Sequence, residues 1–362
     1  MSSPAIAGSC ASATISTPSI FGARILSIEA TIVQNYAYAS SIYNVVANHG
    51  HYPDTTIDFC NVTVTHTHPG TDDTLHTEVW LPLRPSWNGR LQMAGGGGWV
   101  AGLDELARGT MFTALSEGYV TSRVDAGIPT TDFTTAKDWA LTSPGNVNYN
   151  RLQNFAMIGL HDGALITKSV IKSFYGRPAD YSYWSGCSQG GRQGHMFAQR
   201  YPDVFDGIAV SAPAINWAPF FVGQTFPQQV LYELGEFPHT CEYDTLTAAV
   251  IKAYDGNDGL LDGLISHPDS CSFDPYELVG TPVNCNVPGA PAVISKAAAA
   301  AMDAAWHGTR AADGSLLWSS SGYEANTTNG VLLSEGFTDD SLAREYDIYN
   351  WAESPEIMTL EE

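Results

Sequence analysis

Residues 186–190 read Gly186-Cys187-Ser188-Gln189-Gly190. This G-x-S-x-G spacing places a serine on a sharp turn between a strand and a helix, with its hydroxyl exposed and its backbone strained. The flanking glycines are required because a side chain there would meet the neighbouring strand and helix. Tyr181 and Tyr183 alternate within 179–184 as in a strand, and Arg192–Tyr201 reads as a helix, so the context fits a nucleophilic serine at Ser188. Such a hydroxyl needs a histidine base, an acid to orient that base, and donors for the oxyanion. One donor is the backbone N–H following the nucleophile, that of Gln189. The other is expected from Gly95–Gly98, a run of four glycines after the strand-like Arg90–Ala94, with Gly97 as the donor. A phosphate loop is a poorer reading of this run, which lacks G-x-G-x-x-G spacing and a following Lys-Ser/Thr pair.

The base is not apparent near the serine. The histidines are 49, 51, 66, 68, 76, 161, 195, 239, 267 and 307. His195 lies two helical turns beyond Ser188, roughly 10 Å at 1.5 Å per residue. His161 falls within an amphipathic helix and reads as structural. His66 and His68 share one face of the strand-like stretch 62–68, which suits either a solvated strand face, the favoured reading, or a metal site.

These elements have an α/β frame. Leu75–Leu83, Arg90–Ala94, 118–125 and Gly207–Ser211 read as strands. Val100–Glu117 and Asn150–Tyr175 read as helices, the second closed by Gly176. Alternation of this kind predicts a mostly parallel sheet covered on both faces. Beyond Asn216 the strand signals fade. Ala292–Trp306 is an Ala-rich helix ending at Gly308. Residues 255–265 place Asp255, Asp258 and Asp262 at offsets 0, 3 and 7 among glycines, a hard-oxygen donor set of the kind calcium takes.

The stretches Gly95–Gly98, Ser185–Gly194, Tyr201–Ile208, Ala212–Trp217 and Asp255–Ile265, in that order, make the chain similar to the tannase/feruloyl esterase family over about residues 10–310. The resemblance implies an α/β-hydrolase fold with a large inserted lid. It implies a catalytic core over 1–214 and a lid over 215–362, with the C-terminal strands of the fold absent. It also implies a secreted serine carboxylic ester hydrolase acting on feruloyl or galloyl esters through an acyl-enzyme on Ser188. Structural calcium would be held by the side chains of Asp255, Asp258 and Asp262 and the carbonyls of Leu260 and Leu264. In the family the cysteine before the nucleophile is bridged to a cysteine directly following the catalytic histidine. No His-Cys dipeptide occurs here. The expectation is therefore that Cys187 reaches a cysteine beyond residue 362, that the triad His and Asp lie there too, and that residues 1–362 alone turn over poorly. A disulfide-linked C-terminal chain is one way to supply them. Cys10 and Cys60 are a plausible pair. Cys241, Cys271 and Cys285 leave one over in the lid, with Cys241–Cys271 the expected bridge; three internal bridges are the alternative.

The net charge of −22, from 16 basic and 38 acidic residues, argues against nucleic-acid and anionic-membrane partners. No stretch approaches the ~20 apolar residues of a membrane span. Met1–Thr14 lacks the basic start and apolar run of a signal peptide. Asn61-Val-Thr and Asn326-Thr-Thr are N-glycosylation acceptor triplets, which matter only in a secreted protein. Two other readings remain: a non-catalytic binding subunit that keeps the pocket, and a serine peptidase, because the elbow alone does not separate esters from amides.

Overall fold

The computed structural model describes residues 10–38, 48, 54–83, 85–128, 130–131, 136, 138–285, 291–319 and 321–328. His49 and His51 lie outside the described residues. The chain divides into two compact units, Met1–Ile215 and Asn216–Glu362.

The first unit is built on a seven-stranded sheet. In chain order it comprises β1 (Arg24–Tyr36), β2 (Ile57–Thr67), β3 (Leu75–Pro82), β4 (Arg90–Ala94), helix α1 (Glu105–Ser116) and β5 (Val120–Val124). A small hairpin, β6 (Leu141–Ser143) with β7 (Asn146–Val147), stands apart. Then come α2 (Tyr149–Ala156), α3 (Ile158–Tyr175), β8 (Tyr181–Cys187), α4 (Gln189–Arg200) and β9 (Gly207–Ser211). The sheet order is β1-β2-β3-β5-β4-β8-β9. Pairings among β5, β4, β8 and β9 are parallel, whereas β1, β2, β3 and β5 pair antiparallel. The sheet is thus mixed rather than mostly parallel. Strands β2 and β3 are joined by the short turn at 68–74, with no crossover helix, and strands joined in that way run antiparallel.

Alternation along β2 sorts its side chains between two helices. Cys60, Val62 and Val64 pack with Ile166, Val170 and Phe174 of α3. Phe59 packs with Trp80 and with Met111 and Phe112 of α1. The long helix expected over 150–175 is two helices, broken at Met157, whose φ of −159° is not helical. The expected helix from Val100 starts instead at Glu105, where the Asp104 side chain caps it by accepting the N–H of Ala107 at 2.7 Å. A bridge joins Cys10 to Cys60.

The second unit has no strand among its described residues. It consists of α5 (Trp217–Leu234), α6 (Thr240–Tyr254), short 3-10 turns and α7 (Lys296–His307), around a core that includes Leu231, Tyr243, Leu246, Met302 and Trp306. Cys241 is bridged to Cys285. That corrects the expected Cys241–Cys271 pairing: Cys271 remains a free, half-buried thiol packed against the core. Sequence spacing does not reveal which of two candidate partners the fold brings into reach. No described helix is long and apolar enough to cross a membrane.

Candidate active site

Parallel strands β4 and β8 are neighbours, with Ala94 opposite Ser185, so the turns that follow them leave the sheet at the same edge. In open α/β sheets, ligand sites form at that carboxyl edge. Ser188 sits between β8 and α4 with φ 57° and ψ −116°, a left-handed conformation that a side chain adopts only under constraint. The constraint comes from the backbone. The Ser188 N–H donates to the Ser211 carbonyl of β9 at 3.1 Å, and the Ser188 carbonyl accepts from Ala214 and Arg192, each at 3.0 Å.

The glycine run is tied directly to this elbow. Gly190 N–H donates to the Gly96 carbonyl at 2.8 Å, and Gly95 N–H donates to the Ser185 carbonyl at 2.9 Å. A β-carbon on Gly186 would stand 2.4 Å from the Gly190 carbonyl, and one on Gly95 would stand 2.6 Å from the Gly190 Cα. Glycine is therefore required sterically where loop, strand and helix meet.

Gln189 opens α4, so its N–H has no acceptor within the helix and is available to an oxyanion. Gly97 is differently placed. Its N–H donates to Asp104 Oδ2 at 2.6 Å, and a substrate oxygen would have to compete with that carboxylate for it. Asp104 is buried, which pushes its carboxyl above the ordinary range even though it accepts backbone N–H groups. Asp104 escaped the sequence reading, although an aspartate just before an amphipathic run is a recognisable N-cap signal. Two further supports carried no sequence signal. Gln193 accepts the Gly96 N–H at 3.1 Å and donates to the Ala101 carbonyl at 3.0 Å. Arg192, whose guanidinium burial pulls down to about 10, holds the Gln189 side chain at 2.6 Å and the carbonyls of Phe155 and Ala156.

No histidine among the described residues hydrogen-bonds Ser188. His195 is exposed on α4. His76 pairs with Asp125 at 2.6 Å, and that bond holds its imidazole above the usual range. His66 and His68 are not on a solvated strand face. His66 is fully buried, because α3 covers that side of β2, and burial pushes it down to about 4. His68 lies between Asp73 and Asp162, and these bonds outweigh burial to raise it. Cys187, half-buried at the end of β8, is a free thiol.

In the second unit, Asp255 Oδ1 accepts the N–H groups of Asp262 and Gly263 at 3.2 and 3.0 Å. Asp258 Oδ1 accepts that of Leu260 at 2.9 Å, and Asp262 Oδ1 that of Leu264 at 3.1 Å. The all-oxygen donor chemistry fits a hard cation such as calcium. The carboxylates are here turned onto their own loop.

Sequence comparison decides the family. The family described as "Tannase and feruloyl esterase" matches residues 60–337. The chain belongs to that family. A probable feruloyl esterase of Arthroderma benhamiae is 48% identical over 233 residues, 64% of this chain and 43% of that protein. A tannase of Aspergillus oryzae is 34% identical over 252 residues, 68% of this chain and 41% of that protein. The matched stretch thus spans less than half the length of these relatives. Among solved structures, tannin acyl hydrolase from Aspergillus niger superposes with a TM-score of 0.71 at 29% identity, covering 87% of this chain and 57% of that one. Feruloyl esterase B from Aspergillus oryzae, 22% identical, shares the fold with a TM-score of 0.66.

Proposed function

We propose that this chain carries the nucleophile and oxyanion donors of a secreted serine carboxylic ester hydrolase acting on feruloyl or galloyl esters. The observation that carries this reading is the strained Ser188, fixed between β8 and α4 and bonded through Gly190 to the glycine run. The Ser188 hydroxyl attacks the ester carbonyl while a histidine, oriented by an aspartate, takes its proton. Neither partner is identified among the described residues. The tetrahedral oxyanion is held by the N–H groups of Gln189 and Gly97, the latter drawn away from Asp104. Collapse of this intermediate expels the alcohol, which receives the proton from the histidine. Water then releases the aromatic acid from the acyl-enzyme by the same steps. Cys187, free and close to the nucleophile in sequence, would bridge to a cysteine beside that histidine, in the same polypeptide or in a disulfide-linked chain.

Within this reading, residues 1–214 are the catalytic core and 215–362 belong to the lid, beside a division into compact units at Ile215 and Asn216. Calcium would be held by Asp255, Asp258 and Asp262 through side chains and by Leu260 and Leu264 through carbonyls. Its charge would stiffen a loop that otherwise rests on its own backbone bonds. Two disulfides suit an oxidising, extracellular setting. Asn326 is exposed, whereas Asn61 donates to Glu78 within β2, so Asn326 is the better glycan acceptor of the two.

The test is hydrolysis of methyl ferulate and methyl gallate by the full-length protein from its natural source. Turnover that falls about a thousandfold or more in Ser188→Ala supports the proposal. Binding of either ester without turnover would instead make the protein a non-catalytic binder.

A further inference from the structure

The apolar seam between β2 and α3 ends in polar chemistry. Cys60, Val62, Val64 and His66 alternate along one side of β2, and Asp162, Ile166, Val170 and Phe174 follow at four-residue spacing along α3. The apolar members pack together. At the end of the two rows, His66, His68 and Asp162 each bring one ligand atom within 4.8 Å of the others, the one such trio of His, Cys, Asp or Glu among the described residues.

Two features of this trio are unexplained by the fold alone. His66 is 0% exposed, and neither of its ring nitrogens has a hydrogen-bond partner. Buried polar atoms almost always have partners. His68, by contrast, is rigidly aimed. Its backbone N–H donates to Asp73 Oδ1 at 2.9 Å, and its Nδ1 lies 2.6 Å from Asp73 Oδ2, which also accepts Asn154 Nδ2 at 2.8 Å. With Nδ1 committed as a donor, Nε2 faces Asp162 Oδ2 at 3.0 Å. A lone pair facing a carboxylate at that distance needs a positive centre between or beside them, either a proton or a metal ion. A proton on His68 answers Asp162 but leaves His66 without a partner. A metal ion answers all three groups.

We propose that His66, His68 and Asp162 form a binding site for a divalent first-row transition metal, zinc foremost. Two imidazole nitrogens and one carboxylate oxygen are ligand types that zinc takes, and the two borderline nitrogens disfavour calcium, which takes oxygen ligands. Asp73 serves as the carboxylate that orients a metal-bound imidazole through its other nitrogen. A cavity of about 420 Å³, lined by His68, Asp73, Asn154, His161, Asp162 and Tyr201 among others, adjoins the trio and offers room for water in a fourth position. The site is independent of the ester-hydrolase reading and of the acidic loop.

The experiment uses the full-length protein, stripped with a chelator, returned to excess calcium to saturate the acidic loop, and titrated with cobalt(II). The expected result is one equivalent bound with the visible absorption of a four-coordinate nitrogen/oxygen site, displaced by zinc. His66→Gln, which removes no hydrogen bond, should keep its far-ultraviolet circular dichroism and weaken binding about tenfold or more. Asp258→Asn in the acidic loop should leave the cobalt spectrum unchanged. Absence of stoichiometric cobalt or zinc binding by the unsubstituted protein would overturn the proposal. So would an unaltered spectrum in folded His66→Gln.

Discussion

Ser188 and Asp258 are both polar side chains on tight, glycine-rich turns, yet they are held in different ways. Around Ser188 the restraint is long-range. Ser211 of β9, Ala214 and Arg192 of α4 bond its backbone, the glycine run bonds Ser185 and Gly190 on either side of it, and close contacts at Gly186 and Gly95 leave no space for a side chain there. Around Asp258 the restraint is local: each carboxylate accepts N–H groups from residues two to eight positions along the same exposed loop. The elbow is therefore organised before any ligand arrives, as electrostatic catalysis requires. The acidic loop has geometry that an ion would have to complete. Pre-organisation comes from contacts distant in sequence, and local turn chemistry alone does not supply it.

That contrast can be broken first at Gly186. Gly186→Ala should cost about 3 kcal/mol, the upper end of overpacking, because the new methyl meets backbone rather than a rotatable side chain. Urea denaturation of the variant checks this, and a loss under about 1 kcal/mol would mean that the elbow is looser than described. Next in size, Cys241→Ser should cost about 2–4 kcal/mol by opening the Cys241–Cys285 loop, while Cys271→Ser leaves that bridge intact in non-reduced peptide maps. For the acidic loop, calcium at a hundred times its dissociation constant should add about 2.7 kcal/mol, read as a rise in melting temperature that Asp258→Asn abolishes. An unchanged melting temperature would remove calcium from the account. Smallest, Asp104→Ala should cost about 1 kcal/mol through loss of the α1 cap. It also frees the Gly97 N–H, so in the full-length protein KM and kcat should shift separately from the stability loss.

Much of the elbow was legible because its signals are local. Strands Arg90–Ala94 and Gly207–Ser211 have the bounds that their sequences suggest, and each borders a turn in the site. What was not legible depends on partners distant in sequence. His66 lies on β2 and His68 just beyond its end, and alternation cannot tell that α3 will cover the face that holds His66. β1 has no buried side chain and so carries no strong strand pattern, yet it closes the antiparallel half of the sheet. The break at Met157 falls between Phe155 and Ile158, two apolar residues whose spacing suits one continuous helix. Asp104 had a readable cap signal, but its bond to Gly97 is set by how the glycine run folds back.

The central claim is that Ser188 is the nucleophile. The most direct measurement is labelling of the full-length protein with a fluorophosphonate, followed by peptide mapping of the modified residue. One label per molecule on the peptide containing Ser188, lost in Ser188→Ala together with ester hydrolysis, is the result this account predicts. A protein that hydrolyses the ester while its label maps to another residue, or that takes up none, would contradict it.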